Sequence, residues 1–197
     1  MKVMSYPARQ EYAHPTATPA TDLFTQVSPS DAVTRRSANW PGMSVEIIQD
    51  NRRGRIDYHC CAPVHMLVVH ERGVRHDGCT VIDGISKSTL RDCGRKLAFV
   101  PAGHTYHDWH EPRTLSRVVF FYFDPAQLGM EPEMGSSCRS FAPRLFFEDC
   151  TLMETALKLA TFIESDGPDD QHYAEALGVI LVHELARISA GSPPAEA

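Results

Sequence analysis

The sequence predicts a mainly β domain closed by C-terminal helices. Two observations carry this. From Trp40 to Pro125, short apolar runs recur between turn residues. After Phe147 the apolar period changes from that of a strand to that of a helix.

The runs are SVEII (44–48), RIDYHC (55–60), VHMLVVH (64–70), TVIDG (80–84), KLAFVP (96–101) and RVVFFYFDP (117–125). Each has strand length, is rich in Val, Ile, Phe and Tyr, and is bounded by Gly, Asp-Gly or Pro. No helical pattern separates them, so an antiparallel sandwich or barrel is expected. From Cys150 to about Glu164, Leu152, Ala156, Leu157, Ala160 and Ile163 form a helical stripe, with Asp149 placed to cap its start. SDGPDD (165–170) stops that helix. A second stripe follows from His172 to about Ile188, with Tyr173, Leu177, Ile180, Leu181, Leu185 and Ile188 at intervals of three and four. Two such helices joined by a short turn predict an antiparallel hairpin.

Residues 1–39 hold Pro7, Pro15, Pro19 and Pro29 among small polar residues and are expected to be a mobile arm, with a short ordered piece at DLFTQV. The barrel is expected over 40–148, the hairpin over 149–190 and a linker over 191–197.

Composition narrows the function. The chain has 197 residues, 43% hydrophobic and 22% charged, in the range of one globular domain. No apolar run is long enough to span a bilayer, and the start MKVMSYPARQEYAHP lacks the apolar core of a secretory signal, so the cytoplasm is expected. From Phe147 onward there are 10 acidic residues against Lys158 and Arg187, a poor match to a phosphate backbone. Six cysteines (Cys60, Cys61, Cys79, Cys93, Cys138 and Cys150) make no CxxC, and small buried thiols are expected, with a redox role for Cys60 or Cys61 as the alternative.

PAGHTYHDWHEP (101–112) is the densest polar stretch. His104, His107 and His110 invite a metal reading, because imidazole is a common neutral ligand. Spacing weakens it: on a strand only His104 and His110 share a side. A turn with surface and hydrogen-bonded histidines is therefore expected, with His104 and His107 as the metal candidates. In the strand at 64–70, either His65 or His70 looks inward, where an imidazole is a natural handle for a small molecule. There is no GxSxG, Walker loop or GxGxxG, and no enzyme activity is expected.

APVHMLVVHERG (62–73), GRKLAFVPAGHTYHDWHEPRTLSRVVFFYFDP (94–125), APRLFFED (142–149) and HYAEALGVILVHELARI (172–188), in this order, resemble the cupin-like sensor half of AraC-type transcription regulators. The resemblance implies a β-barrel that binds a small organic effector without a cofactor, and a hairpin through which two subunits pair. It matches barrel walls to the strand around His65, Leu67 and Val69, the turn and strand holding His104, Tyr106 and Trp109, and the strand holding Tyr122. Pairing would use Leu177, Ile180, Leu181 and Leu185; packing of that stripe onto the barrel is the alternative. Metal-using cupins carry HxH followed by Glu, whereas VHMLVVHERG has no HxH, and Tyr106 stands where a second-motif His would fall. The paired helix-turn-helix motifs of such regulators do not follow, so DNA binding is not carried over. The implied function is an effector-sensing and pairing module, as a homodimer or with a full-length regulator. A metal-dependent cupin enzyme and a stand-alone modulator are the alternatives.

Overall fold

The computed structural model describes residues 24–124, 142–165 and 171–190. The remainder of the expected N-terminal arm, Cys138, the SDGPDD turn after Ser165 and the expected linker lie outside these residues.

Antiparallel strands dominate: β1 (Thr25–Ser28), β2 (Val33–Trp40), β3 (Met43–Asp50), β4 (Ile56–Cys61), β5 (His65–Ile82), β6 (Lys96–Val100), β7 (Thr105–Phe123) and β8 (Arg144–Phe147). Two helices follow, α1 (Cys150–Glu164) and α2 (Gln171–Ala190). This is the mainly β fold with C-terminal helices that the sequence predicts, and both helices fall where their stripes place them.

The long strands β5 and β7 organise the sheet. They pair from His65↔Phe123 to Ile82↔Tyr106, with register shifts between His70 and Asp77. On its other edge β7 takes β4 along its first part, Cys61↔Thr105 to Ile56↔His110, and β3 along its last, Gln49↔Arg117 to Met43↔Phe123. β6 extends the sheet from β5 and β8 from β6, while β1 pairs with β4 and β2 with β3.

Three expectations are corrected here. VHMLVVH and TVIDG are not two strands but the ends of β5, an 18-residue strand. Gly73 and Gly78 read as turn signals, yet they sit at the bulged stretch where the strand bends, as glycine often does. At Gly73 an added Cβ would lie 2.9 Å from the Cβ of Ser116, so only glycine lets β5 and β7 cross this closely. Likewise PAGHTYHDWHEP is a turn only as far as His104; Thr105 begins β7, and Pro112 falls opposite Arg75 in the irregular stretch, where a missing N–H is tolerated. Finally, part of the expected mobile arm is strand. β2 pairs with β3 along its whole length, and Ala32 and Val33 are in the core. VTRRSANW has too few apolar residues to announce itself, because β2 borrows its order from β3.

Strand alternation divides the interior into two clusters. Ile48, Tyr58, Met66, Val68, Ala98, Tyr106, Val118, Phe120 and Tyr122 face one another inside the curled sheet. Val45, Ile47, Leu67, Val69, Leu97, Phe99, Phe121 and Phe123 face the opposite way and meet Leu152, Ala156, Leu159, Leu177, Leu181 and Leu185 of the helices. Each fully buried Leu contributes about 1.5–3 kcal/mol of transfer free energy to that layer. Asp149 caps α1, its side chain accepting from the Leu152 amide at 2.9 Å. No helix among the described residues is long and apolar enough to cross a membrane.

Candidate functional site

β7 carries Tyr106, Asp108 and His110 on its inward side and His107 and Trp109 on its outward side, the alternation any strand imposes. A buried charged group needs partners, and at this end of the barrel it finds them. His110 lies 3.2 Å from Asp108 through Nδ1 and 3.1 Å from Asp50 through Nε2. Asp50 also accepts from the Tyr58 hydroxyl at 2.9 Å and from the Ser116 amide at 3.0 Å. Arg75 donates through Nη1 to Asp108 and Thr80, both at 3.1 Å, and through Nη2 to the Ser88 carbonyl at 3.2 Å. Arg75, Asp108 and His110 are 4%, 4% and 6% exposed.

Burial opposes charge on His110, but hydrogen bonds to Asp108 and Asp50, and their charges, outweigh it and lift its pKa to about 9. Burial likewise raises the two carboxyls, and hydrogen bonding and charge from His110 more than reverse this, holding both below the usual range. Two carboxylates thus face one imidazolium and one guanidinium, and the cluster is neutral as a whole. Nearby, His70 has no such partner. Burial pushes its pKa down to about 4, and its Nε2 is buried without a hydrogen bond. The Phe146 ring meets it edge-on at 5.4 Å. The cavity lined by His70, Cys93, Ser116 and Val118 measures only about 20 Å³, room for a water molecule.

Ser116, His110 and Asp108 have the outline of a nucleophilic triad, with Ser116 Oγ 3.5 Å from His110 Nε2. The outline does not function as one. Both imidazole nitrogens donate to carboxylates, so no imidazole lone pair faces the Ser116 hydroxyl, which donates to Asp50 instead.

The opposite end, the barrel mouth, is aromatic. Tyr122 donates to Glu46 at 3.1 Å and shares a short hydrogen bond with Thr25. Phe24 packs against Tyr122 with ring centroids 4.8 Å apart. Burial raises the Glu46 pKa against the opposing charge of Arg35 and these hydrogen bonds. Beside them lies an open pocket of about 180 Å³ reaching Trp40 and Asp124.

The sequence candidates do not converge on one site. Tyr106 and Tyr122 are inside the barrel, as expected. Leu67 and Val69 are not: both are fully buried on the helix side, because the inward side of β5 is that of Met66, Val68 and His70. His65 is on their side, half-buried between Phe99 and Phe123, its Nδ1 accepting from the Ala102 amide at 3.0 Å. His104 stays in the preceding turn, with Nδ1 3.4 Å from the Ala102 carbonyl. Trp109 lies on the outer face under the Arg55 guanidinium, 4.3 Å from its ring centroid. His107, also outward, is 3.6 Å from Asp57. His104 and His107 therefore do not come together, and among the described residues no group of three or more His, Cys, Asp or Glu is arranged to hold a metal ion. Sequence reasoning missed Asp50, Arg75 and Ser116 in the polar cluster, and Phe24, Trp40 and Asp124 at the mouth. The usable signal was in β7: Tyr106, Asp108 and His110 share one parity, so one inward tyrosine places the other two inside.

The chain matches no protein-family model and no curated protein. Solved structures overlap it in part. An RmlC-like cupin from Shewanella frigidimarina is 12% identical at a TM-score of 0.35, covering 53% of this chain and 87% of that one. A cupin superfamily protein from Desulfitobacterium hafniense is 13% identical at 0.35, covering 46% and 76%. The DMSP lyase DddQ from Ruegeria pomeroyi is 11% identical at 0.37, covering 58% and 52%. The presence of a lyase in this group overturns the expectation that the chain is not an enzyme. Overlap at these values assigns it no reaction.

Proposed function

We propose that this chain is the effector-sensing and pairing module of an AraC-type transcription regulator. A small organic effector binds at the barrel and the helical hairpin carries the response. The observation supporting this is that the central strands are buried on both sides. Met66 and Val68 line the interior while Leu67 and Val69 between them touch the helix layer, and Phe120 and Tyr122 alternate with Phe121 and Phe123 in the same way. A ligand that shifts such a strand shifts the surface on which the helices rest. By linkage it changes pairing only as far as its affinities for the two states differ.

The pairing face differs from the one the sequence suggests. Leu177, Leu181 and Leu185 are spent on the barrel, at 7%, 0% and 2% exposure. Of the four expected residues only Ile180 faces outward, 46% exposed, beside Val179 at 41% and Tyr173 at 48%. The partner is a second copy or a full-length relative that uses the same face. Sedimentation velocity tests this. The wild type is expected to dimerise with rising concentration and Ile180→Asp to remain monomeric, with a urea midpoint shifted by no more than about 0.5 kcal/mol of stability. A wild type that stays monomeric throughout removes the pairing half of the proposal.

A further inference from the structure

We propose that His59 and His107 form a site for a late first-row divalent cation of the Zn²⁺ or Ni²⁺ class on the outside of the barrel. The inference goes beyond the sensor reading and does not depend on it.

Along the chain His107 stands near His104, but in the sheet its neighbour is His59. The two are direct partners in the pairing of β4 with β7. Both point outward, because Tyr58, Cys60 and Tyr106 on either side of them point into the barrel. Their rings lie 6.3 Å apart between centroids and are inclined at 56°. Two imidazoles on one ion, with metal–nitrogen bonds of about 2.0–2.1 Å, have centroids about 5 Å apart. Small rotations about the side-chain torsions close that gap. His59 is exposed and the His107 side chain is 41% exposed, so solvent leaves room for them.

The surroundings suit a cation. Asp57 Oδ1 lies 3.6 Å from His107 Nε2. A carboxylate in that place favours the tautomer with its proton on Nε2 and its lone pair on Nδ1, as outer carboxylates do for ligating histidines. Asp57 is itself held by Arg55 through both oxygens, which makes it a support and not a ligand. Arg55 lies over the Trp109 ring and feels Asp77 and Glu111 as well as Asp57, so carboxylates outnumber the guanidinium there. Along the same row of the sheet, His59 is opposite Gln26 of β1 and His107 is opposite Val81 of β5, and neither carries a charge.

Imidazole binds zinc, nickel and copper and leaves Mg²⁺ to oxygen ligands. Two histidines are fewer than the three protein ligands of a catalytic zinc, so water completes the shell. An ion held in this way ties β4 to β7 and binds the folded chain alone.

Isothermal titration calorimetry of the full chain with zinc chloride tests the inference, with magnesium chloride as the control. Zn²⁺ is expected to bind saturably and Mg²⁺ not at all. His59→Gln and His107→Gln should each weaken Zn²⁺ by at least about tenfold, and Asp57→Asn by less. Cys61→Ser and His104→Gln should leave it unchanged. In thermal melts, Zn²⁺ should raise the midpoint of the wild type but not that of His59→Gln. Absence of saturable Zn²⁺ binding overturns the inference, and this result needs the wild type alone, so it stands even if a variant fails to fold. Binding that survives both His59→Gln and His107→Gln also overturns it, because the ion then sits elsewhere.

Discussion

The two ends of the barrel solve the problem of buried polarity in opposite ways. At the Arg75–Asp108–His110–Asp50 end, four charged side chains satisfy one another and almost no space remains. At the mouth, a single hydrogen-bonded set around Tyr122 stands beside an open pocket. The most conspicuous polar constellation is thus the one least available for a ligand. A crowd of titratable groups signals chemistry only when some of their valence is left over, and here it is consumed within the cluster.

The strongest way to break this contrast is Asp108→Asn. It leaves Arg75 and His110 in a buried setting with one carboxylate between them, and the expected loss is about 3–5 kcal/mol in urea denaturation. A loss below about 1 kcal/mol would mean that the cluster is not a closed ionic unit.

Next in size is the pH dependence. His110 is raised in the folded protein from 6.5 to about 9. Its contribution is therefore complete below pH 6.5 and is lost as pH climbs through 9, an effect on the order of 3 kcal/mol. His70 works at the other edge. Its pKa falls from 6.5 to about 4, so stability drops as pH falls through that interval, where the unfolded chain takes the proton first. Thermal melts of the wild type and His110→Gln across pH 6.5 to 9 isolate the first effect. The variant should have the flatter slope, and parallel curves would exclude a buried imidazolium.

The smallest effect is expected at the mouth. Tyr122→Phe deletes one hydroxyl shared with Glu46 and Thr25 and should cost about 1 kcal/mol. If it costs as much as Asp108→Asn, the two ends are equally rigid and the contrast fails.

The sequence reveals the parts of this fold that depend on local pattern. Both helices, the Asp149 cap and the strands at 44–48, 55–60 and 96–101 are all local properties of apolar period and turn residues. What it hides depends on which side of a strand faces in. HMLVV is apolar on both sides because both are buried, so nothing in the run tells Leu67 from Val68. The same ambiguity leaves the side of Leu67 and Val69 open, whereas the pairing role of the α2 leucines rests on the resemblance alone, with packing onto the barrel as its alternative. Arg75 and Asp50 are far from Asp108 and His110 along the chain, and only the ladder between β5 and β7 and the seat of β3 on β7 bring them together. Aromatic residues at the mouth come from the ends of β2 and β7 and from just before β1, with no spacing to connect them.

One dipeptide carries strand alternation into thiol chemistry. Cys60 and Cys61 are adjacent in β4, yet Cys60 is 2% exposed inside the barrel, its thiol pushed up to about 12 by burial, while Cys61 is exposed on the outside. An alkylating reagent reacts through the thiolate. It therefore labels one neighbour at once and reaches the other only when β4 leaves the sheet. The ratio of singly to doubly modified peptide is a clock for the opening of the barrel wall, wound into two consecutive residues.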